Sequence, residues 1–559
     1  MDQRTLLAIT LILIVLILPS ILFPPRPVPP APDGGVGLPD STPQRIAPSL
    51  VEPSARPPVP ADVQPAPAAL TEPDGEPVIV SSPLYSFAFS RRGAKLVGAE
   101  LLDYQSFALG DSGAAQLIPE LSEFLTHRLV FGNDTVFLDE WEFEPSRRSL
   151  QVADRGSELS WVARRGPATV RLVYSFRPDE YLFHVRGEFE GITSSTGLLL
   201  VGMGPRLRSV ESDSVVDFRS YGIVTKNRST DNLKFSSLSP GERESLEGPF
   251  EWVAIKSKYF LAVILAIDEG QTRFGGALVI GGERTGPGGI LRRGGPATRV
   301  HVVASLPVPA GAFSYSVYIG PQEYRRLSRI GHELPEVNPY GWILQPIITP
   351  LSIIVVKLLL WMHEELNLAY GWVLVLFGIA IRLALWPLNQ KAMRSTMAMQ
   401  ALQPEMKALQ ERYKDDKAKL QQEMMKLYKE HGASPLGGCL PILFQMPILF
   451  TLFFVFLNTI EFRGAPFLWL PDLSLADPLY IIPILMGASM FALSKIGQIG
   501  VPPNPQAKMM LYVMPVMFTV LFLRFSSGLN LYYATSNLAS LPQQWMVAQE
   551  RLRRAAKKK

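Results

Sequence analysis

The chain carries a single cysteine, Cys439, so no intrachain disulfide can staple it and cysteine usage does not identify its compartment. Cys439 falls in an apolar run, where a small buried residue is the expected role rather than a nucleophile. The six histidines are scattered without metal-ligand spacing. The glycine-rich patch GGERTGPGGILRRGG (281–295) lacks the Gly-Lys-Ser/Thr of a phosphate-cradling loop. No catalytic constellation stands out, so the expectation is a protein that is not an enzyme and uses no cofactor or metal. Charge is scarce too: 19% of residues, with a mean hydropathy of +0.15, apolar for a soluble chain of 559 residues. The net charge of +4 is unremarkable as a total, and its distribution is the informative part.

What the chain has instead is apolar runs of membrane length. LAYGWVLVLFGIAIRLALWPL (368–388) is about 21 residues, roughly 30 Å as a helix, the thickness of a bilayer's hydrocarbon core. It encloses one formal charge, Arg382, which at mid-membrane costs roughly 2.5–3.5 kcal/mol unless compensated. Either Arg382 snorkels about six residues (~9 Å) to the cytoplasmic end, or it lines a wet cavity. Leu6–Phe23 reads as an uncleaved anchor within domain 1–23, since a signal peptide would have a shorter core and a small-residue cleavage site. Further runs span Leu436–Ile460, Tyr480–Ile496, Met509–Leu523 and Leu529–Val547, making six spans, with prolines at 441, 447, 483, 515 and 542. The stretch 340–366 is apolar but carries Pro346, Pro350, Lys357 and a His-Glu-Glu end. An interfacial helix along the outer leaflet, bracketed by Trp342 and Trp361, is expected there.

Between anchor and bundle the grammar changes twice. Residues 24–77 are dominated by proline, alanine and small polar residues, and read as a disordered tether that cannot bury enough apolar surface to fold. From 78 to 335, short β-branched and aromatic segments such as YSFAFS (85–90), ATVRLVYSF (168–176), EYLFHVRGEFEG (180–191), FLAVILAI (260–267) and RVHVVASLPV (299–308) are broken by turn residues. That predicts an all-β sandwich, closed by a helix over 321–334; a membrane barrel would need a repeated lipid-facing alternation.

The basic segments are 390–434 and the tail 548–559, with ERLRRAAKKK at its end, while 461–477 carries mostly acids. Both termini and the 389–435 segment are therefore expected in the cytoplasm and the β domain on the far side, in the periplasm, with the chain multi-pass in the inner membrane. Within 389–435, Leu402, Met406, Leu409 and Tyr413, then Leu420, Met424 and Leu427, keep helical spacing, predicting a hairpin turning near 414–416. Its six methionines include Met397, Met406, Met424 and Met425. They pack a seam or offer a flexible surface to varied apolar partners. Gln445 in the third span, and Tyr532, Tyr533, Ser536 and Asn537 early in the last, are interhelical glue or, with Arg382, the lining of a polar groove.

Arg382 followed by WPL, LQPEMKALQERYKDDK, QQEMMKLYK, SPLGGCLPILFQMPI, DPLYIIPILMG and SGLNLYYATSNL together resemble the YidC family of membrane protein insertases, nearly without a gap over 340–550. The resemblance implies a five-helix core with a hydrophilic groove open to cytoplasm and lipid, and a β-supersandwich in the periplasm. By the same resemblance, Arg382, Gln445, Tyr532 and Tyr533 line the groove. The methionine hairpin, with Arg553, Arg554, Lys557 and Lys558 of the tail, meets nascent chains and ribosomes. Implied partners are nascent membrane proteins, the ribosome, the Sec translocon and the lipid bilayer, with no sequence-specific nucleic acid. Two positions depart from the pattern: Gly378, one turn before Arg382, and Lys414 at the hairpin tip. The rival reading is a solute transporter or channel, which would show inverted repeats or rings of like charge, and neither is seen.

Overall fold

The computed structural model describes residues 75–119, 122, 124–191, 196–266, 273–282, 297–309, 311–338, 345–390, 393–394, 402–414, 416–431, 440–500 and 505–557. At 196, 403, 404, 417, 440–445, 505–507, 510, 554, 555 and 557 it describes the backbone alone. The anchor, the tether as far as residue 74 and most of the glycine-rich patch lie outside these residues.

The first half is β. Its strands form sheets of five, nine and six, almost wholly antiparallel. In the nine-stranded sheet Ala168–Phe176 pairs with Leu182–Glu190, which pairs with Ala312–Pro321. The register puts Tyr174, Phe176, Phe183, Val185 and Tyr315 on one face, all buried. Phe87 and Phe89 of the five-stranded sheet meet Phe183 with ring centroids 5.8 and 6.0 Å apart. Phe131 of the six-stranded sheet meets Phe189, on that same face, at 5.4 Å. Both smaller sheets thus cover one face of the large one, which is why its strands alternate buried and exposed.

Trp252–Lys256 breaks that alternation, with every residue buried. Its second face is covered by the chain that closes the domain. The Trp252 indole donates to the carbonyl of His332 at 3.0 Å, and Lys256 bonds Asn338. Two short helices belong to this half, α1 (Ser214–Phe218) and α2 (Tyr324–Ile330). The closing helix expected over 321–334 is only α2. Gly331 ends it at φ 86°, a conformation glycine adopts without a Cβ clash, and His332 and Glu333 follow with positive φ before a 3-10 turn over Leu334–Val337.

Beyond Asn338 the chain is helical: α3 (Gln345–Glu365), α4 (Tyr370–Ala384), α5 (Gln403–Arg412), α6 (Lys417–Glu430), α7 (Leu440–Asn458), α8 (Ile481–Gly497), α9 (Pro505–Phe522) and α10 (Ser527–Lys557). Among the described residues α3 alone is long and apolar enough to cross a membrane by length and composition; α4, α8 and the stretches Met446–Asn458 and Leu511–Phe522 are apolar but shorter. The 31-residue α10 is the central element, packed along α4 and α8. Val373, Leu374 and Phe377 of α4 share a buried cluster with Leu452, Val455 and Phe456 of α7 and with Leu529, Tyr532 and Ala534 of α10. Pro447, Pro515 and Pro542 interrupt helix interiors, whereas Pro483 sits in the first turn of α8, where its missing N–H is no loss. Helices α5 and α6 form the hairpin expected over 389–435. Asp416 caps α6 by accepting from the Lys419 N–H at 3.0 Å.

The two halves meet at the segment joining α7 to α8. Arg463 reaches into the β domain, where its Nε donates to Glu211 at 2.8 Å and a terminal nitrogen donates to the carbonyls of Gln105 (2.8 Å) and Val210 (3.1 Å). Its guanidinium also lies over the rings of Phe107 and Phe260, 4.3 and 5.4 Å from their centroids. Burial pushes the Glu211 carboxyl above its usual range, outweighing the pull of Arg463. Nearby, burial lifts the Glu461 carboxyl to about 7.

Candidate functional site: a polar seam around Arg382

Arg382 lies near the end of α4 and is half-buried. Its Nε donates to Ser536 Oγ on α10 at 2.6 Å. The described residues give it no ion pair with a carboxylate, so its charge is met by a neutral hydroxyl and remains unneutralised. The reason Ser536 can serve is local. On α10, Ser536, Ser540 and Gln543 recur at i, i+4 and i+7, one polar stripe facing α4. Ser540 donates to the carbonyl of Ser536 (2.8 Å), and Gln543 Nε2 donates across to the Trp386 carbonyl (2.8 Å). Small polar residues of this kind let two helices approach closely within a bilayer.

One turn before Ser536 lies Tyr532, 1% exposed and wedged between Phe377 (5.7 Å) and Phe456 (6.5 Å). Tyr533 packs edge-on against Tyr532 (5.2 Å) and Phe522 (5.7 Å). Its hydroxyl is buried and meets no hydrogen-bond partner among the described residues. A buried phenol without a partner is costly. On the opposite flank of α10, Asn537 donates to Ser489 of α8 at 3.2 Å. Arg382, Tyr532 and Tyr533 therefore converge. Gln445 is placed on α7, and its side chain lies outside the described residues.

Gly378 faces α10. A Cβ there would stand 3.4 Å from the Tyr532 carbonyl and 3.5 Å from Thr535, ordinary contact distances. At Gly487 on α8 it would stand 1.8 Å from Thr519 Oγ1, whose hydroxyl is engaged with the Pro515 carbonyl at 2.7 Å. Gly378→Ala therefore leaves thermal stability in detergent unchanged or slightly raised, whereas Gly487→Ala lowers it by about 1–3 kcal/mol, the overpacking range. Equal melting shifts for the two would contradict this packing.

The hairpin divides its methionines. Met406 and Met424 pack on buried Leu402 and Tyr428 in the seam, and the Tyr428 hydroxyl lies 3.6 Å from Met406 Sδ. Met425 points outward, 55% exposed, and Met397 lies outside the described residues. In the tail Arg553 is exposed, while the side chains of Arg554 and Lys557, and Lys558 altogether, lie outside. Arg551, which sequence reasoning passed over, donates to the carbonyls of Gly497 (2.8 Å) and Ile499 (2.7 Å), placing a cation at the C-terminal end of α8.

Comparison with known proteins places both halves. The family model described as YidC periplasmic domain matches residues 78–354, and that of the 60Kd inner membrane protein matches 361–554. The chain is 32% identical over 491 residues to the membrane protein insertase YidC of Aromatoleum aromaticum, covering 84% of each. It is 30% identical over 521 residues to that of Oleidesulfovibrio alaskensis, covering 89% of this chain and 91% of the relative. Among solved structures, an active YidC insertase with its first transmembrane domain resolved is 19% identical, at a TM-score of 0.34, over 84% of this chain and 93% of that one. With kinship this extensive along both the β domain and the helical half, the chain belongs to the YidC family of membrane protein insertases.

Proposed function

We propose that this protein inserts nascent membrane proteins into the inner membrane through a polar groove centred on Arg382, with Tyr532, Tyr533 and Gln445 along it. The observation that carries the reading is the pairing of Arg382 with Ser536 rather than with an acid. The charge is positioned and left available to a carboxylate in a client's translocated segment. Trp372 packs on Phe467 at the outer end of the bundle, and Arg382 follows ten residues later, about 15 Å deeper along the helix. That depth is close to the middle of a roughly 30 Å core and favours a wet cavity over a snorkelling side chain. A short hydrophilic segment drawn to the cation crosses at reduced cost, and burial of about 20 apolar residues in lipid then drives the step without covalent chemistry.

In this reading the chain has six spans with both termini cytoplasmic, and α3 lies along the outer leaflet. Near its end α3 is tied to the β domain, where Glu364 pairs with Arg325 at 2.5 Å. Midway, Lys357 lies over the Tyr324 ring at 5.9 Å. A helix held to that domain at its middle and its end lies along it, which supports the interfacial reading. The basic tail with Arg553, Arg554, Lys557 and Lys558 receives ribosomes, the hairpin presents Met425 and Met397 to emerging spans, and the Sec translocon is a further partner. Met406 and Met424 support this surface from the seam. A transporter has no support from the family relationship.

The test is photo-crosslinking from a benzoylphenylalanine at Tyr533, in membranes supplied with ribosomes stalled on a single-span nascent chain. A crosslink to the emerging span, lost when that span is made polar, is the expected result. Silence from both Tyr533 and Gln445 would move the client path elsewhere.

A further inference from the structure

The segment between α7 and α8 buries Phe462, Phe467, Leu470 and Leu473 in the bundle, yet the residues it leaves exposed between 466 and 480 are apolar or aromatic. Its polar side chains Asp472, Ser474 and Asp477 are 6, 7 and 0% exposed, while Leu468, Leu479 and Tyr480 stand out at 70, 58 and 50%. A water-facing loop is built the other way round. The two inward carboxylates are engaged, Asp472 by accepting from the Ser474 N–H at 2.7 Å. Asp477 accepts from the N–H groups of Leu479 (2.9 Å) and Ile482 (2.8 Å) and from the Trp469 indole (3.2 Å). The N–H groups opening α10, at Ser527 and Gly528, donate to the carbonyls of Leu475 (2.6 Å) and Leu473 (2.9 Å). Leu468 and Tyr480 each sit at positive φ, 54° and 56°, which is unfavourable for bulky side chains and persists only where the surroundings impose it. Those two turns are the ones that hold the apolar groups outward.

The patch is continuous with the lipid-facing side of the bundle. Trp372, 51% exposed, packs edge-on against Phe467 at 5.3 Å. Leu376, Ile379 and Leu383, all exposed, extend the same stripe down α4 at i+4, i+7 and i+11 from Trp372. Tryptophan and tyrosine bordering such a stripe mark the level of the headgroups.

We propose that this segment is set into the outer leaflet, with Leu468, Trp469, Leu479 and Tyr480 at the boundary between headgroups and acyl chains. Because Arg463 of the same segment is buried in the β domain, the segment is a bracket that fixes that domain's height above the membrane. The inference rests on the family's membrane placement and does not depend on which residues contact clients.

The test uses the full chain with Cys439→Ala, carrying one NBD-labelled cysteine at Leu468→Cys or Leu479→Cys. The control is Leu109→Cys in the β domain, where the native side chain is 94% exposed. All three positions are exposed, so no label displaces packing. In proteoliposomes of phosphatidylethanolamine and phosphatidylglycerol containing nitroxide lipids, emission at 468 and 479 is blue-shifted. Quenching there is several-fold stronger than at 109, and shallow nitroxides quench better than deep ones. Emission at 468 and 479 like that at 109 would place the segment in water and overturn the proposal. Blue-shifted but unquenched emission would also overturn it, by showing that protein rather than lipid covers the patch.

Discussion

Replacing Arg382 with alanine slows insertion of single-span clients with an acidic translocated segment by roughly tenfold to a hundredfold. The estimate follows from the cost of a mid-membrane charge, roughly 2.5–3.5 kcal/mol, of which a nearby cation offsets a large part, at about 1.4 kcal/mol per tenfold in rate. Arg382→Lys largely preserves activity, because the charge remains although the guanidinium's directed bond to Ser536 is lost. A client whose leading segment carries no carboxylate responds much less to either change. The measurement is protease protection of the client in proteoliposomes over time. Equal rates for wild type, alanine and lysine variants would remove the electrostatic part of the mechanism.

The second large effect is expected at the junction of the two halves. The side chains of Arg463 and Glu211 are 3 and 9% exposed, and each is buried against the other. Arg463→Ala strands the Glu211 carboxylate in a desolvated site, at a cost of about 3–5 kcal/mol for a broken buried pair. It also removes the donor that Arg463 gives to the carbonyls of Gln105 and Val210, of which Val210 keeps the Phe107 N–H at 2.8 Å. Replacing both charges, Arg463→Met with Glu211→Met, recovers most of that loss, because neither desolvated charge then remains. Thermal unfolding of wild type, Arg463→Met, Glu211→Met and the double variant in detergent closes the double-mutant cycle, and chymotrypsin cleavage at Tyr340 or Trp342, between the β domain and α3, reports undocking. If the single alanine variant melts like wild type, the pair does not hold the halves together.

Both effects hang on contacts between residues far apart in the chain, which is where reading the sequence stops. Periodicity is a local property, and it served well wherever local chemistry decides. Ala168–Phe176 is the strand its alternation predicts, and the hairpin turns at Asp416, whose side chain caps α6. The expected closing helix forms but stops at Ile330, because the left-handed residues after it follow from how the chain crosses Trp252–Lys256, a long-range demand. Local pattern also divided these methionines, since Met406 and Met424 keep the helical spacing of the seam and Met425 does not, and the packing of the two helices covers the first two and leaves the third exposed.

By itself the sequence determined the apolar runs, the β grammar, the cation within the membrane helix and the motifs of the family, because each depends on residues within a few turns of one another. Only the tertiary structure decided that Arg382 bonds Ser536, 154 residues away, that Arg463 bonds Glu211, 252 residues away, and that the segment between α7 and α8 turns Leu468, Leu479 and Tyr480 outward. The physical reason is the same in all three. Whether a charge or an apolar group is covered depends on what another part of the chain brings against it, and that is fixed only when the elements pack.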